Sequence, residues 1–590
     1  MKDFLKNVLA TVVGIFLFMA VTGLFMIMSI IGMVASGEQT KSVKDNSVLV
    51  MNLSGILAER GESNPLREFM GDGNKSLGLD DMLAAIKKAK SNDKIKGIYI
   101  EAGAFSPDSY ASLQALRRAL TDFRKSGKWI VAYADTYTQG TYYLASVADH
   151  VWLNPQGLVD WHGLAVQKTY LKGLMEKFGV KMQVAKVGSY KSAVEQFTTD
   201  KMSDADREQT EAYINGIWQQ VTTDVAASRK LTAATLNEYA DSLITLSDSK
   251  QFVTAKLVDK LLYTDQVKAE VKKLLKIDED DDINQLSIGD MKTVKDKNRD
   301  GEEIAVYYAY GDIIDGDAGS LLSRGHQIDA QVVCKDLAEL MKDEDVKAVV
   351  LRVNSGGGSA YASEQIWHQI MELKKEKPVV VSMGGMAASG GYYISAPANW
   401  IVAEPTTLTG SIGIFGMFPD MSGLLTDKLG LRFDEAKTNK FSTFGTNARP
   451  FTPEEMSHLE TYIDRGYKLF RQRVAQGRKL TIEQVEAIAQ GHVWLGKDAM
   501  PLKLVDQLGS LDDAVAKAAQ LAKLKDYHTN AYPDKEDWID SLLKETSGNN
   551  YLNDQLRLTL GDFYEPFLLM RTINSQNTIQ ARVPYYINIK

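Results

Sequence analysis

Hydrophobic residues along the chain follow two alternating patterns, short β-branched runs and longer amphipathic stretches. Residues 129–133 and 378–382 form short apolar runs that are typical of buried strands. Residues 111–123 and 362–373 instead repeat their apolar positions at helical spacing. Strands that alternate with helices predict an α/β core with a largely parallel sheet.

The N-terminal region contains one apolar run that is much longer than the others. Residues 8–35 form an almost wholly apolar run of 28 residues, within an uncharged stretch over 7–37. A bilayer core requires about 20 such residues, whereas a cleavable signal peptide has an apolar stretch of about 7 to 15. We therefore expect a single-pass membrane anchor over residues 1–40. Lys2 and Lys6 favour a cytoplasmic N-terminus, which places the rest of the chain outside the cytoplasm.

An internal repeat with a period of about 250 residues organises the rest of the chain. Five pairs of similar segments occur in the same order: 47–55 and 303–311, 95–100 and 346–351, 140–143 and 390–393, 229–232 and 478–481, and 256–259 and 503–506. The repeat predicts a first domain over 45–275 and a second over 303–525, joined by a charged linker over 276–302. The C-terminal extension, 526–590, belongs to neither repeat, and its sequence does not indicate a role.

Composition and charge exclude several classes of function. The 590 residues include 68 basic and 76 acidic side chains, so the net charge of -8 argues against a nucleic-acid partner. The single cysteine, Cys334, cannot form an intramolecular disulfide or a cysteine metal cluster. Seven scattered histidines show no metal-ligand spacing, and no Gly-Lys-Ser/Thr follows the glycine run, so we expect no metal and no cofactor.

Candidate chemistry lies where the two repeats differ. Only the second repeat has a glycine-rich segment, 354–359, directly after a predicted strand, and such glycines let backbone N–H groups approach a ligand. About 30 residues later, a turn of small residues over 383–392 carries Ser389 at its tip, where the first repeat has Gln139. A serine in such a turn is suited to nucleophilic attack, although a helix N-cap is the more common role.

At these residues the chain resembles the long, duplicated form of bacterial signal peptide peptidase A, also known as protease IV. The resemblance includes the N-terminal apolar run, both repeats, the Arg-Val-Asn-Ser-x-Gly-Gly-Ser element at 352–359 and the Ala-Ser-Gly-Gly-Tyr-Tyr turn at 388–393. It implies an α/β fold with two tandem repeats of a ClpP/crotonase-like spiral of ββα units, preceded by one transmembrane helix.

The same resemblance implies the catalytic residues. Ser389 is the expected nucleophile, and Lys191, which lies in a similar segment of the first repeat, is the expected general base. Ser411, within Thr-Gly-Ser-Ile-Gly at 409–413, is expected to orient the lysine. An alignment of the two halves places Ser442 opposite Lys191, so each repeat has kept one member of the pair and lost the other.

The chemistry of a serine and lysine pair sets physical requirements on such a site. Serine is a weak nucleophile that needs an adjacent base. Lysine has an ordinary pKa near 10.4, so it can act as a base only where burial disfavours its charged form. Backbone N–H groups, for which we choose those of Gly357 and Gly390, are expected to stabilise the oxyanion.

The expected function is cleavage of hydrophobic peptides, such as signal-peptide remnants, by a membrane-anchored serine endopeptidase facing the periplasm. We expect a homo-oligomer, with a tetramer as its size. Two alternatives from other classes stay open: a catalytically inactive membrane scaffold, and a crotonase-type acyl-coenzyme A enzyme. Peptidase activity would exclude the scaffold, and labelling by a serine-directed fluorophosphonate would exclude the acyl-coenzyme A enzyme.

Overall fold

The computed structural model describes residues 42–61, 76–294, 300–316, 326–535 and 579–582, with a few single positions and short pieces between 6 and 22. The predicted membrane anchor, 1–40, lies almost wholly outside the described residues. Within the described part of the chain, no helix combines the length and the apolar character needed to cross a membrane.

The first half of the chain contributes strands and helices in alternation over most of its length. Its described strands are β1 (Ser47–Ala58), β2 (Ser76–Gly78), β3 (Ile95–Ser106), β4 (Trp129–Tyr137), β5 (His150–Val159), β6 (Lys181–Lys186), β7 (Lys260–Leu261) and β8 (Gln285–Ser287). Its described helices are α1 (Leu79–Ser91), α2 (Tyr110–Arg124), α3 (Gln139–Ala145), α4 (Lys172–Lys177), α5 (Glu195–Thr198), α6 (Asp204–Arg229), α7 (Ala233–Asp241), α8 (Ser249–Thr254), α9 (Thr264–Leu275) and α10 (Ile288–Thr293).

The second half follows the same order and adds strands beyond it. Its described strands are β9 (Glu302–Tyr310), β10 (Asp312–Ile314), β11 (Gln327–Asp329), β12 (Val346–Ser355), β13 (Gly357–Ser359), β14 (Val379–Ala388), β15 (Trp400–Ala403), β16 (Leu408–Gly410), β17 (Phe415–Asp420), β18 (Val493–Leu495), β19 (Gln507–Leu508), β20 (Tyr527–Tyr532) and β21 (Ile579–Arg582). Its described helices are α11 (Ala330–Lys342), α12 (Ala360–Glu376), α13 (Gly390–Ser395), α14 (Pro453–Arg478), α15 (Ile482–Ile488), α16 (Gly496–Ala499) and α17 (Leu511–Ala522).

Each repeat is built on a mainly parallel sheet. The first sheet has the order β2-β1-β3-β4-β5-β7, with β8 also on β1. The second has the order β18-β16-β14-β12-β9-β20, with β15 beside β14 and β19 beside β15. Helices pack on these sheets, so the strands are buried and strongly apolar, as residues 379–381 of β14 illustrate. The predicted α/β fold with two tandem repeats is confirmed.

A third sheet combines strands from both repeats. Its order is β11-β10-β13-β21-β17-β6, so β6 of the first repeat lies at the edge of a sheet that otherwise belongs to the second half. β6 and β17 pair antiparallel over six residues, from Lys186 opposite Phe415 to Lys181 opposite Asp420. This pairing carries the chain that follows β6 into the second repeat.

The predicted linker and extension both contribute to the sheets. Within the charged segment 276–302, β8 pairs with β1, and Leu286 and Met291 enter the first hydrophobic core. These apolar residues are too few to form a visible pattern among so many charges. In the extension, β20 pairs parallel with β9 and adds an edge strand to the second sheet.

A buried ion pair joins the two repeats near the glycine-rich segment. Arg352 Nε lies 2.6 Å from Glu59 Oε1, and Asn354 Nδ2 donates to Glu59 Oε2 at 2.9 Å. Both charged side chains are buried, with 5% and 3% exposure. Removing one member would leave an uncompensated buried charge, which typically costs about 3–5 kcal/mol. The Glu59–Arg352 pair therefore stabilises the contact between the two repeats.

Glu404 is a second buried carboxylate between the repeats. Its Oε2 accepts a hydrogen bond from Arg118 Nη2 of the first repeat at 2.5 Å. Its Oε1 has no hydrogen-bond partner among the described residues. Burial raises the pKa of Glu404 to about 7, although Arg118 opposes the shift. A carboxyl group with one unpaired buried oxygen is expected to hold its proton near neutral pH.

Replacing Glu404 should change how the stability of the protein depends on pH. The folded state keeps a proton that the unfolded chain releases above its ordinary pKa, so wild-type stability falls by up to about 3 kcal/mol between roughly pH 4.5 and 7. Glu404→Gln should remove that decline, which denaturation midpoints at pH 5 and pH 8 would measure. Glu211→Gln, at an exposed helical position, is the control. An unchanged pH dependence in Glu404→Gln would contradict the assignment.

Candidate active site

Ser389 lies in the sharp turn between β14 and α13. Its backbone has a φ of 55° and a ψ of −114°, a conformation that non-glycine residues rarely adopt. The turn is held by the Ser389 N–H, which donates to Gly410 O at 2.8 Å, and by the Ser389 carbonyl, which accepts from Tyr393 N at 2.8 Å. The Ser389 side chain makes no capping hydrogen bond, so the N-cap interpretation does not apply.

Lys191 reaches the Ser389 turn from the first repeat. It follows β6 by five residues and is fully buried, with 0% exposure. Its Nζ lies 2.7 Å from Ser389 Oγ, 3.0 Å from Ser411 Oγ and 3.2 Å from Ser411 O. The structure therefore brings together three residues that are far apart in sequence and that the sequence analysis selected.

The surroundings of Lys191 disfavour a charged amine. Burial lowers the pKa of Lys191 well below its ordinary value, and no carboxylate among the described residues offsets this effect. Two glycines allow the close packing. A Cβ on Gly413 would meet Lys191 Cδ at 3.2 Å, and a Cβ on Gly491 would meet Lys191 N at 2.6 Å. Both glycines come from the second repeat, so the enclosure of the amine needs both halves of the chain.

Ser411 is held in a fixed orientation beside Lys191. Its backbone has a φ of 49°, and its N–H donates to His492 O at 2.7 Å. The hydroxyl and the carbonyl of Ser411 both face Lys191 Nζ. Together with Ser389 Oγ, these two oxygens position the Lys191 amine. All three oxygens are uncharged, so none of them supplies a counter-charge to a protonated lysine.

The two selected glycines lie next to each other beside Ser389. Gly357 has a φ of 101°, and a Cβ at this position would meet Gly390 N at 2.6 Å. The Gly357 N–H donates to Ser355 Oγ at 3.1 Å. Gly390 is the first residue of α13, so its N–H has no acceptor within the helix. Of the two, Gly390 is the one whose N–H is available for an oxyanion.

A strand that the sequence analysis did not select lies at the same place. β21 pairs with β13 on one side and with β17 on the other. The Ala581 carbonyl oxygen would be 2.0 Å from a Cβ on Gly357 and 2.9 Å from a Cβ on Gly390. This strand has no recognisable sequence signal, because it is four residues long and lies in the extension that has no counterpart in the repeat.

The equivalent position in the first repeat is filled by an amide. Gln139 is buried, and its Oε1 accepts from the N–H groups of His162 and Gly163 at 2.9 and 2.8 Å. Its Nε2 donates to Gly163 O at 2.8 Å. Ser442, which the alignment places opposite Lys191, is exposed and bonds to Asn439. Neither position resembles the Ser389 and Lys191 arrangement.

Comparison with known proteins gives the same family for both repeats. The model of peptidase family S49 matches residues 122–278 and 371–525, and the model of Clp protease matches 306–401.

Three curated relatives extend the likeness over most of the chain. Protease 4 of Salmonella typhi is 37% identical over 588 residues, which cover 97% of this chain and 92% of that protein. Protease 4 of Haemophilus influenzae is 34% identical, covering 88% and 87%. The chloroplastic serine protease SPPA of Arabidopsis thaliana is 30% identical, covering 82% and 70%. The chain is a serine peptidase and belongs to peptidase family S49.

Proposed function

We propose that the chain is a membrane-anchored endopeptidase in which Ser389 is the nucleophile and Lys191 is the general base. The observation that carries the proposal is the 2.7 Å contact between a fully buried amine and the hydroxyl of a strained turn. The arrangement supplies a nucleophile, a base within hydrogen-bond reach and a third group that orients the base.

Acylation follows from this arrangement. The uncharged Lys191 amine accepts the proton of Ser389 as Oγ attacks the carbonyl carbon of a bound peptide. The Gly390 N–H then donates to the oxyanion of the tetrahedral intermediate. Lys191 returns the proton to the departing amine, and the C–N bond breaks, leaving an acyl group on Ser389.

Deacylation uses the same groups in reverse. Lys191 accepts a proton from a water molecule, which attacks the acyl carbon, and then returns that proton to Ser389. Ser411 keeps Nζ directed at Oγ through both steps, since its hydroxyl and carbonyl lie 3.0 and 3.2 Å away. At the end of the cycle, Ser389 again carries its proton and Lys191 is again uncharged.

Hydrophobic peptides, such as signal-peptide remnants left in the membrane, are the substrates we propose. The site is enclosed by two repeats and takes an extended segment between β13 and β17, which suits an unfolded peptide. An anchor over residues 1–40, with the peptidase domains on the periplasmic side, would keep such a site beside the membrane.

A homo-oligomer, with a tetramer as its size, completes the proposal. The segment after β17 exposes large apolar side chains, each between 36% and 62% exposed: Leu429, Leu431, Phe433, Phe441 and Phe444. Concentrated exposure of this kind is typical of an interaction surface. We assign it to contacts between copies of the chain.

Removing either member of the pair should abolish peptide hydrolysis. Ser389→Ala and Lys191→Ala should each lower kcat/KM about 10⁴-fold or more, and the double variant should be no worse, because the two groups act as a unit. Lys191→Arg should also be inactive, because its guanidinium stays protonated. Lys186→Ala, at an exposed position in β6, is the matched control and should keep activity. Wild-type activity in Lys191→Arg would refute the assignment of the base.

The pH profile should show that the base titrates below the ordinary range of lysine. Burial lowers the pKa of Lys191, so the active uncharged form is lost only as the pH falls through that lowered value. We expect kcat/KM on a synthetic peptide to rise with pH and to level off well below pH 10. An ascending limb centred near the ordinary lysine pKa of about 10.4 would contradict this expectation.

Substrate state should matter more than substrate sequence. The purified enzyme should degrade a synthetic signal peptide but leave a folded soluble protein intact, because only an extended segment fits between two strands. Chromatography of the digests over time would measure both rates. The same soluble protein, unfolded beforehand, is the control and should be cleaved. Equal rates on folded and unfolded forms would overturn the enclosure argument.

A further inference from the structure

The first turns of α6 bury polar side chains beside the loop that carries Lys191. Asp206, Gln209 and Thr210 are all buried and share one face of the helix, since residues three and four apart lie side by side. We propose that Gln209 is a positioning residue that holds Lys191 at the distance from Ser389 that proton transfer requires. The inference rests on the proposed function, in which Lys191 is the general base.

The amide nitrogen of Gln209 binds the residues on both sides of Lys191. Gln209 Nε2 donates to Tyr190 O at 3.1 Å and to Ser192 Oγ at 3.0 Å. Lys191 itself has a φ of −76° and a ψ of 73°, which belong to neither a helix nor a strand. The loop therefore depends on contacts such as these, rather than on regular secondary structure, for the direction in which the lysine leaves the backbone.

The amide oxygen of the same side chain binds the second repeat. Val493 N donates to Gln209 Oε1 at 3.2 Å. Val493 is the first residue of β18 and lies opposite Gly410 of β16. The Gly410 carbonyl in turn accepts the Ser389 N–H at 2.8 Å. Gln209 thus connects the loop of the base to the strands that hold the turn of the nucleophile.

Neighbouring polar groups fix the orientation of the Gln209 amide. Ser192 Oγ donates to Asp206 Oδ1 at 2.6 Å, so the same hydroxyl is left to accept from Gln209. Lys168 Nζ lies 2.6 Å from Asp206 Oδ2 and pairs the buried carboxylate with a cation. Because acceptors lie on one side of the amide and the Val493 N–H lies on the other, only one amide orientation satisfies every group.

The chemistry of the bridge requires a donor and an acceptor on one short planar group. A primary amide supplies both, whereas a carboxylate could accept from Val493 N but could not donate to Tyr190 O. A thioether of similar length supplies neither a donor nor a strong acceptor. These differences allow the positioning role to be tested with side chains of nearly the same size.

Gln209→Met removes the bridge while keeping a side chain of similar length. We expect kcat on a synthetic signal peptide to fall about 10- to 100-fold, since a catalytic group displaced by about 1 Å costs up to about 10²-fold. KM should stay nearly unchanged because, among the described residues, Gln209 makes no hydrogen bond to the strands that we assign to peptide binding. A wild-type kcat, or a loss confined to KM, would overturn the inference.

Gln219→Met is the matched control. Gln219 lies on the same helix, is exposed, and also meets the second repeat, where Lys497 Nζ donates to its Oε1 at 3.2 Å. Its replacement should leave kcat unchanged. The final extent of fluorophosphonate labelling at Ser389 counts the competent sites, so that kcat is expressed per site. If Gln209→Met had fewer sites but a wild-type kcat at each, its role would be structural and the inference would fail.

Gln209→Glu provides a second test that depends on protonation. A protonated carboxyl group can donate to Tyr190 O and accept from Val493 N, as the amide does, whereas a carboxylate cannot donate. Asp206 Oδ1 lies 3.3 Å from Gln209 Nε2 and disfavours a second negative charge there, so the introduced group should keep its proton above the ordinary range of a glutamate. The ratio of variant to wild-type kcat per site should be highest at acidic pH and should fall as the pH rises. A ratio that stays constant with pH would contradict the bridge.

The same assays separate this inference from the proposed function. If Lys191→Ala abolishes hydrolysis while Gln209→Met keeps the wild-type kcat, the positioning role fails and the proposed function stands. If Lys191→Ala keeps full activity, Lys191 is not the base, and both the proposed function and the positioning role fail.

Discussion

The site depends on one constraint, the burial of a lysine amine without a counter-ion. An exposed lysine is charged at neutral pH and cannot accept a proton, so Lys191 has to be enclosed before it can act as a base. The enclosure comes from the second repeat, where Gly413 and Gly491 leave room for the side chain and Ser411 supplies oxygen contacts. In the described part of the chain, no carboxylate stabilises the charged form of Lys191. Burying the Lys191 amine costs folding free energy, and the same burial is what would let the amine act as a base.

This constraint explains why the two repeats cannot act separately. β6 carries Lys191 out of the first repeat, and its six-residue pairing with β17 sets the position of the lysine relative to Ser389. The buried pair of Glu59 and Arg352 fixes the same interface elsewhere. In the proposed assignment the nucleophile lies in one repeat and the base in the other, so the first repeat needs no serine at the position equivalent to Ser389. Gln139 now fills it with hydrogen bonds to backbone groups.

Sequence patterns predicted the fold and selected the residues of the candidate site because both have local signals. β-branched runs, amphipathic stretches and a repeated order of segments indicate two α/β domains, and a resemblance in short motifs selected Ser389, Lys191 and Ser411. Contacts between distant segments left no such signal. The pairing of β6 with β17 depends on backbone groups that every residue carries, and the role of Gly491 depends on what packs against it. The short strand β21 has neither a repeat partner nor a strong apolar pattern.

The third sheet combines backbone pairing, which any sequence can make, with side-chain contacts, which only some sequences can make. β13 and β17 present N–H and C=O groups to any extended segment, so they do not discriminate among sequences. Discrimination has to come from places where a side chain meets a filled or charged surface, such as the buried position of Ala581 or Asp312 beside Arg582. If the site acts on varied hydrophobic peptides, as we propose, backbone pairing supplies the broad recognition and side-chain contacts supply the remaining selectivity.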